Sequence, residues 1–447
     1  MKTKSFGKHL KVAMGVMAMA GIIGCGNKNN AESDEYVNEM NFESDVSVNE
    51  LNKIDITGEN GADSETFEAT EDVNDIEITD NTEKIIDGSV AADLAIKMLK
   101  VGEGENKLVS PLSVMMAMGM ATNGANGETK DQLLKALNVD QETLDRDMTT
   151  LLATDDNDGQ QLTYANGIWA NGIDKLNDDY VVKMSELYKA EIHGEDFGPD
   201  TVTDINSFVD KNTNGQIKKL IDSLDKSASM VLVDALCFNG EWDSPFEDYQ
   251  IKEDYDFNTV DGQIQKVTML NGDSGQYITV NDAEGFTYPY AGGKYSFIAL
   301  LPKEGETPDK FISGLDGKTL MKAYDDREFT EVIFGIPEFE FDYNMDLCEM
   351  LKGLGVVNAF DSSSADFTGM FKENIGQYIS KIVHKTHIEL DREGTRAAAA
   401  TGMVTLDAAP PSFEEPKEII LDRPFVYIIF DNDNEIPVFM GQVDSFE

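Results

Sequence analysis

Histidine side chains are the first candidates for chemistry in this 447-residue chain, which has four: His9, His193, His384 and His387. His9 lies in an N-terminal segment that we expect to be removed. His384 and His387 lie three positions apart in a segment that alternates like a β-strand, so their side chains face opposite sides and cannot bind one metal ion together. We therefore predict no metal site.

Other patterns that could support chemistry are also weak. The stretch DNDNE, Asp431–Glu435, is rich in oxygen ligands but lacks the spaced glycine and the distal glutamate of a calcium loop, so it predicts a hairpin turn. The sequence contains neither a G-x-S-x-G nucleophile elbow nor a phosphate-binding glycine loop. Carboxylate pairs carry little information in so acidic a chain. We predict that the protein is not an enzyme and uses no cofactor.

The charge balance limits the possible partners. The chain has 84 Asp and Glu against 36 Lys and Arg, which gives a formal net charge of −48. Surfaces that bind nucleic acid are rich in Lys and Arg, because these side chains neutralise phosphates. The composition therefore excludes nucleic acid as a partner.

The N-terminus has the pattern of a secretory signal. Residues 1–24 contain four lysines in the first eleven positions and then a short apolar stretch that ends in IIGC, residues 22–25. The apolar stretch is too short for a stable membrane span. A cysteine at this point resembles the bacterial lipobox, in which it is lipidated, so we expect Cys25 to carry a lipid anchor and the protein to be extracytoplasmic, on a membrane or the cell surface. The alternative is an ordinary signal with a chance cysteine.

Two further segments follow. Residues 25–87 are acidic and polar with little apolar periodicity, which predicts a disordered tether. Residues 88–447 contain no internal linker or repeat and form the predicted folded domain. Besides Cys25 only Cys237 and Cys348 are present, and we expect both to be buried free thiols.

The run GTRAAAATGMV, Gly394–Val404, is unusual in such an acidic chain. Alanine favours helix, so a surface helical turn or a flexible linker is one interpretation. The run lies, however, between two segments with strand patterns, Tyr378–Asp391 and Ile419–Asp431. The small residues therefore connect two strands across a long exposed span.

Six segments in order along residues 85–447 resemble the serpin family. The family fold is α+β, with three β-sheets, about eight or nine helices and an exposed reactive-centre loop. The segments include a helix that begins with Ser-Pro, a helix that crosses the main sheet, and the third strand of that sheet with its tryptophan. They are Val109–Thr129, Ile205–Ile221, Leu232–Phe246, Ile336–Phe360, Ala365–Met370 and Asp422–Val443.

The resemblance assigns a role to the alanine run. In serpins this span is the hinge of a loop that a target protease cleaves and that then inserts as a new strand into the main sheet. Every second inserted side chain must be small because it enters a closely packed interior. The hinge residues that match are Gly394, Thr395, Ala397, Ala399 and Thr401. The resemblance thus implies a suicide-substrate inhibitor of serine proteases that acts as a monomer.

The family spacing places the reactive bond at Ala408–Ala409, with Leu406 and Asp407 as alternatives for the specificity-determining residue. No Lys or Arg occurs between Arg396 and Lys417, so a trypsin-like pocket has nothing to bind. A small alanine favours an extracellular elastase-like or subtilisin-like protease as partner.

Five positions match the family's sheet-opening region: Ser110, Ser113, Asp234, Trp242 and His384. Ser110 is expected to cap a helix that has Pro111 at its first position. Asp234 occupies a place where the family usually has asparagine. We predict that Asp234 pairs with His384, which would raise the pKa of the histidine and lower that of the aspartate.

One departure and two alternatives remain. Arg392 stands two residues before the hinge glycine, where the family usually has glutamate, and this puts the insertion rate in question. One alternative function is a non-inhibitory carrier or chaperone, although such members tend to have bulky or charged hinge residues. The other is a surface adhesin that uses the scaffold only for display.

Overall fold

The computed structural model describes residues 87–154, 162–172, 176–373, 376–395 and 416–446. These residues include nine α-helices, none of them long and apolar enough to cross a membrane. The helices are α1 Gly88–Val101, α2 Pro111–Gly124, α3 Gly127–Leu137, α4 Gln141–Thr154, α5 Asp178–Tyr188, α6 Pro199–Asn212, α7 Pro308–Ser313, α8 Gly317–Asp325 and α9 Leu347–Gly353.

The described residues also form seventeen strands. They are β1 Lys107–Val109, β2 Leu162–Asn171, β3 Glu191–Glu195, β4 Met230–Phe238, β5 Gly240–Glu241, β6 Ile251–Asn258, β7 Ile264–Ser274, β8 Tyr277–Val280, β9 Ala283–Pro289, β10 Tyr295–Leu301, β11 Val332–Pro337, β12 Phe339–Asp346, β13 Ile379–Leu390, β14 Gly394–Thr395, β15 Lys417–Ile420, β16 Phe425–Asp431 and β17 Ile436–Val443.

The strands make three sheets. The main sheet has the order β3-β2-β4-β13, with β12 on the other edge of β13 and the short β14 between β13 and β5. A six-stranded sheet has the order β1-β17-β16-β10-β9-β8, and a four-stranded sheet has the order β15-β11-β7-β6. The three sheets and nine helices confirm the α+β expectation.

Helix α2 forms the centre of the main core, and its sequence explains both its start and its burial. Ser110 is the N-cap and its side chain accepts a hydrogen bond from Ser113 N, while Pro111 takes the first helical position, where its missing N–H has no consequence. Every residue of α2 except Asn123 is buried. A helix that is apolar on all sides must lie inside the protein, and α2 contacts β4 and β13 of the main sheet.

The other face of the main sheet carries α6. Ile205 and Val209 of this helix pack with Trp169 of β2 and with Val231 and Val233 of β4 in a second, smaller hydrophobic cluster. The expected helix across the main sheet is therefore present. With α2 on one face and α6 on the other, β2 and β4 are covered on both sides.

Strand β13 shows the alternation that its sequence predicts. His384, Thr386, Ile388 and Leu390 are buried, and the residues between them are only partly buried. The second predicted strand differs from the expectation, because Ile419–Asp431 is divided into β15 and β16. The break ends at Pro424, which has no N–H to donate to a sheet.

Two smaller expectations are also confirmed. The DNDNE stretch is the turn between β16 and β17, in which Asp431 Oδ1 accepts hydrogen bonds from the backbone N–H groups of Asp433 and Asn434. Within the described residues, Cys237 and Cys348 are buried, and neither forms a disulfide bond.

Candidate functional site

The main sheet changes its pairing along the boundary between β4 and β13. These two strands run parallel, and their register extends from Met230–Ile379 to Ala235–Lys385. Beyond the end of β4, β14 pairs antiparallel with β13 through Leu390 and Thr395. It also pairs antiparallel with β5, with Gly394 opposite Glu241. The start of the predicted hinge thus already lies between β13 and β5, which follows β4 in the chain, at the end of the β4–β13 boundary that the inserted loop would open.

A tight turn brings the chain from β13 into this position. Asp391 Oδ1 accepts hydrogen bonds from the backbone N–H groups of Glu393 at 2.8 Å and Gly394 at 3.1 Å. The Asp391 N–H in turn donates to Gly394 O at 2.9 Å. Aspartate commonly forms such side-chain turns. The carboxylate therefore reverses the chain within three residues and directs it back along β13.

The first inward hinge residue is held by a group of aromatic side chains. Thr395 is 2% exposed, and its Oγ1 lies 2.6 Å from Tyr290 Oη. The Tyr290 ring stacks on Trp242 with centroids 4.5 Å apart, and Trp242 Nε1 donates to Asp391 O at 2.9 Å. We call Gly240, Trp242, Tyr290, Gly394 and Thr395 the hinge cluster.

Gly394 is required here because the backbone of β5 is so close. An added Cβ would overlap Gly240 O and would lie 2.8 Å from Glu241 Cα, a separation that real Cβ atoms essentially never show. The backbone φ angle of Gly394 is outside the left-handed region. The sequence suggested glycine at this position as part of a hinge, and the structure shows a close contact of two backbones as a further reason for it.

Arg392, the departure from the family pattern, lies beside the hinge cluster. Its Nη1 is 3.3 Å from Asp248 Oδ1 and its Nε is 3.9 Å from Glu338 Oε1. Its carbonyl accepts a hydrogen bond from Phe246 N at 2.9 Å. Burial raises the pKa of Glu338, and the charge of Arg392 opposes this shift. Arg392, which stands where the family usually has glutamate, thus has two acidic partners.

The second group lies midway along β4 and β13, where these strands pair. Asp234 and His384 are register partners and are 2% and 1% exposed. Ser113 of α2 lies between them: its Oγ donates to Asp234 Oδ1 and is 3.3 Å from His384 Nδ1. The Ser110 N–H donates to His384 Nε2 at 3.3 Å. We call Ser110, Ser113, Asp234 and His384 the central cluster.

These contacts determine the proton positions in the central cluster. Because the Ser110 N–H donates to Nε2, the proton of a neutral His384 is on Nδ1, from which it reaches Ser113 Oγ. The Ser113 hydroxyl then donates to Asp234 Oδ1. The other oxygen, Oδ2, is buried and has no hydrogen-bond partner among the described residues. The histidine and the aspartate are therefore connected through the serine.

The predicted directions of the two pKa shifts are wrong. Burial raises the pKa of Asp234 well above its ordinary value, although the hydrogen bond from Ser113 opposes the change. Burial lowers the pKa of His384 to about 4. An ion pair would have produced the opposite shifts. With the serine between the two side chains and both almost fully buried, desolvation of each charged form decides the outcome.

The remaining sequence candidates lie outside the described residues. These are the hinge positions Ala397, Ala399 and Thr401, the bond Ala408–Ala409 with its alternatives Leu406 and Asp407, and Cys25 with the signal and tether. Sequence reasoning also missed a participant, Tyr290. The stretch FTYPY before the Gly292–Gly293 turn was a weak signal for it, since an aromatic strand end before a turn often lies at a sheet boundary.

Comparison with known proteins gives one consistent result. The model of the family described as serpin (serine protease inhibitor) matches residues 87–445. Serpin-ZXA of Oryza sativa subsp. japonica is 29% identical over 364 residues, which cover 76% of this chain and 90% of the rice protein. The native state of the thermophilic serpin tengpin is 35% identical, with a TM-score of 0.73 over 80% of this chain and 94% of tengpin.

A third comparison is with a member of different function. Human thyroxine-binding globulin, solved in complex with thyroxine, has a TM-score of 0.71 over 80% of this chain and 98% of the globulin. At 23% identity this likeness shows the fold alone. The family model covers the sheets, the hinge cluster and the central cluster described above. This chain belongs to the serpin family.

Proposed function

We propose that this protein is a suicide-substrate inhibitor of serine proteases. Serpins are generally protease inhibitors, although some, such as thyroxine-binding globulin, are not. In this proposal the target cleaves the loop at Ala408–Ala409, and the segment after Gly394 enters the main sheet between β4 and β13. The observation that carries the proposal is the position of β14, whose two residues already lie at the entrance to that path.

The register of β14 predicts which side chains would enter. Leu390 pairs with Thr395 in an antiparallel ladder, and each further step moves one residue forward on one strand and one back on the other. Ala397 would then pair with Ile388, Ala399 with Thr386 and Thr401 with His384. All three partners on β13 face the interior. The inward positions of the inserted strand are thus the small residues that the sequence places there.

Insertion has to separate strands that are already paired. The hydrogen bonds between β4 and β13 from Met230–Ile379 to Ala235–Lys385 would break, and the new strand would replace them with bonds to both neighbours. Each added hydrogen bond contributes a net of roughly 0.5–1.5 kcal/mol, and burial of the new strand adds to this. After cleavage the protease is held on the loop as a covalent acyl-enzyme, and insertion competes in time with hydrolysis of that acyl-enzyme. A slow insertion yields a cleaved substrate, and a fast one yields a trapped protease.

The sequence of the loop limits the specificity of the target protease. Residues 397–416 contain no Lys or Arg, so a protease with an acidic specificity pocket has no side chain to bind there. Alanine at the reactive bond suits the small apolar pocket of an elastase-like or a broad subtilisin-like protease. Leu406 and Asp407 are the alternatives if the bond lies nearer to the hinge.

The N-terminal residues suggest where the inhibitor acts. A lipid on Cys25, followed by the acidic stretch of residues 25–87, would attach a monomeric inhibitor to the outer side of a membrane or to the cell surface. The protein would then meet extracellular proteases close to the cell that makes it. Membrane fractionation of the parent and of Cys25→Ala tests this part, because equal membrane association of both proteins would exclude the anchor.

The inhibitory activity is tested with a panel of proteases. The protein is incubated with elastase-like, subtilisin-like, chymotrypsin-like and trypsin-like enzymes, and the products are separated under denaturing conditions. We expect a covalent complex with at least one of the first two classes, and a mass for the released peptide that locates the bond. Cleavage without any complex, together with unchanged thermal stability of the cleaved protein, would exclude the inhibitory mechanism.

A further inference from the structure

A group of acidic residues and one histidine lies on the face of the main sheet opposite to the central cluster. Glu340 of β12 pairs across the strands with Glu389 of β13, and Asp342 of β12 pairs with His387. Glu340, His387 and Glu389 each offer a ligand atom within 4.8 Å of the others. The prediction of no metal site was based on His384 and His387 as a pair, and His384 lies on the opposite face of the sheet.

His387 has a largely buried side chain. Its side chain is 9% exposed, and its Nδ1 lies 2.8 Å from Asp342 Oδ1. Asp342 Oδ2 is in turn 3.0 Å from Lys385 Nζ. Because the carboxylate accepts at Nδ1, the imidazole carries its proton there and has a lone pair on Nε2. Within the described part of the chain, Nε2 is buried and has no hydrogen-bond partner.

A histidine held in this way is typical of metal ligands. In protein metal sites the second ring nitrogen of a ligating histidine usually donates to a carboxylate, which fixes the tautomer and the ring orientation. Asp342 has that position relative to His387, and Lys385 holds Asp342 from the other side. The orientation of the imidazole is therefore set before any ion binds.

The two glutamates supply carboxylate ligands beside the histidine. Glu340 and Glu389 lie directly opposite each other on β12 and β13, and each offers an oxygen within 4.8 Å of the other and of a ring nitrogen of His387. Carboxylate oxygens and an imidazole nitrogen are ligands that zinc accepts. A divalent ion between the glutamates and the histidine would give Nε2 a partner.

We propose that Glu340, His387 and Glu389 bind one divalent cation of the zinc class. One imidazole and two carboxylates, with water as a fourth ligand, form a donor set that zinc accepts. Tetrahedral ligands at about 2.0–2.1 Å from zinc are roughly 3.4 Å from one another. Side-chain rotation can close the remaining distance from the separations of up to 4.8 Å in the structure. The ion would join β12 to the part of β13 that leads into the hinge.

The test measures metal binding and stability, and it does not depend on inhibition. Zn²⁺ is titrated into the purified protein by calorimetry, and Co²⁺ is titrated with visible absorption as a probe of coordination. Thermal unfolding is followed with and without Zn²⁺, because a ligand that binds the folded state raises the melting temperature. We expect one site with a Kd in the micromolar range or below and a higher melting temperature with Zn²⁺.

Two ligand variants and one control locate the site. His387→Gln should weaken binding at least tenfold and should abolish the cobalt spectrum. Glu340→Gln changes an exposed side chain and should weaken binding while the fold is kept. His193→Gln is the matched control, since His193 faces Glu191 at 3.5 Å elsewhere on the sheet, and it should bind like the parent. Equal affinity of the parent and Glu340→Gln, or loss of binding in His193→Gln alone, would overturn the proposal.

Discussion

The hinge cluster and the central cluster lie along the same boundary of the main sheet, but they are built from different chemistry. The hinge cluster is aromatic and contains no carboxylate or histidine of its own: Thr395 contacts the Tyr290 hydroxyl, and the Gly394 N–H donates to the neighbouring Asp391 carboxylate. The central cluster contains two ionisable side chains, Asp234 and His384, both almost fully buried. The entrance to the insertion path should therefore respond little to pH, whereas the middle, which must open later, should respond strongly.

The substitution with the largest expected effect tests the insertion path, along which both clusters lie. In the proposed register Ala397 faces inward and Ala398 faces outward. Ala397→Arg would force a charge into the interior, at a cost of several kcal/mol, so insertion should slow and the variant should become a cleaved substrate. Ala398→Arg is a matched control, because the same side chain reaches solvent and inhibition should persist. The ratio of covalent complex to cleaved product with an elastase-like protease measures both.

Two results would contradict this register. If both variants remain inhibitors, the segment does not enter the sheet in the way proposed. If Ala398→Arg fails and Ala397→Arg does not, the alternation is displaced by one residue. Thr395→Arg is less informative, because Thr395 is already buried in the structure and its substitution would disturb the starting state as well.

The next prediction breaks the hinge cluster alone. Gly394→Ala adds a Cβ that has no room beside Gly240, and overpacking of this kind costs typically 1–3 kcal/mol. We expect β14 to leave its place, so that hydrogen exchange at the Thr395 amide rises at least tenfold. Gly353→Ala is the control, because an added Cβ there meets nothing within 4 Å. Equal exchange in the parent and Gly394→Ala would show that the close contact does not hold the hinge.

Asp234→Asn sharpens the comparison at the central cluster. The folded-state pKa of Asp234 is raised, so the stability that it contributes is complete below its unfolded pKa near ~3.9 and is lost as pH rises. Asparagine can still accept from Ser113 but has no charge to desolvate. At neutral pH we therefore expect Asp234→Asn to stabilise the native state by at least about 1 kcal/mol, measured by chemical denaturation.

His384 predicts the shape of the same pH profile. Its folded pKa is lowered to about 4, so its contribution is complete above the unfolded value near ~6.5 and is lost as pH falls toward 4. In the parent the contributions of Asp234 and His384 to the stability of the native state change in opposite directions in this pH range. Once the aspartate is removed, stability should rise more steeply between pH 4 and 6.5. If the plot of stability against pH for Asp234→Asn is parallel to that of the parent, Asp234 is not the source of the opposing contribution.

These differences show what the sequence could and could not predict. The period-2 pattern of β13 and the Ser110–Pro111 helix start are local, and both are present as expected. The sign of the shifts at Asp234 and His384 was not predictable, because it depends on how deeply both side chains are buried and on the serine between them. A matched family position shows that two residues are near each other, but it does not show whether desolvation or attraction dominates.

Contacts between distant segments were also beyond the sequence. Tyr290 meets Thr395 across 105 positions, and no local pattern joins them. The group around His387 depends on the register of β12 against β13, which a shift of one residue would remove. The hinge stays a prediction, and it could be made because its requirement, small residues at alternate positions, can be read from consecutive residues of the chain.

The smallest expected effect concerns one hydroxyl of the hinge cluster. Tyr290→Phe removes the partner of Thr395 Oγ1 and keeps the ring that stacks on Trp242. A buried hydroxyl without a partner costs roughly 1–3 kcal/mol, so global stability should fall slightly and exchange at the Thr395 amide should rise a few-fold. Hydrogen exchange around His384 should not change, because the central cluster shares no side chain with Tyr290.

A double-mutant cycle separates this hydrogen bond from ring packing. Thr395→Val removes the other hydroxyl at nearly the same volume, and in the double variant neither group is left without a partner. We therefore expect Tyr290→Phe to cost less in the Thr395→Val background, with a coupling energy of about 0.5–3 kcal/mol. Tyr427→Phe is the control, because the buried Tyr427 Oη has no partner in the described structure and its removal should not destabilise. Additive effects of Tyr290→Phe and Thr395→Val would mean that the contact holds no part of the hinge in place.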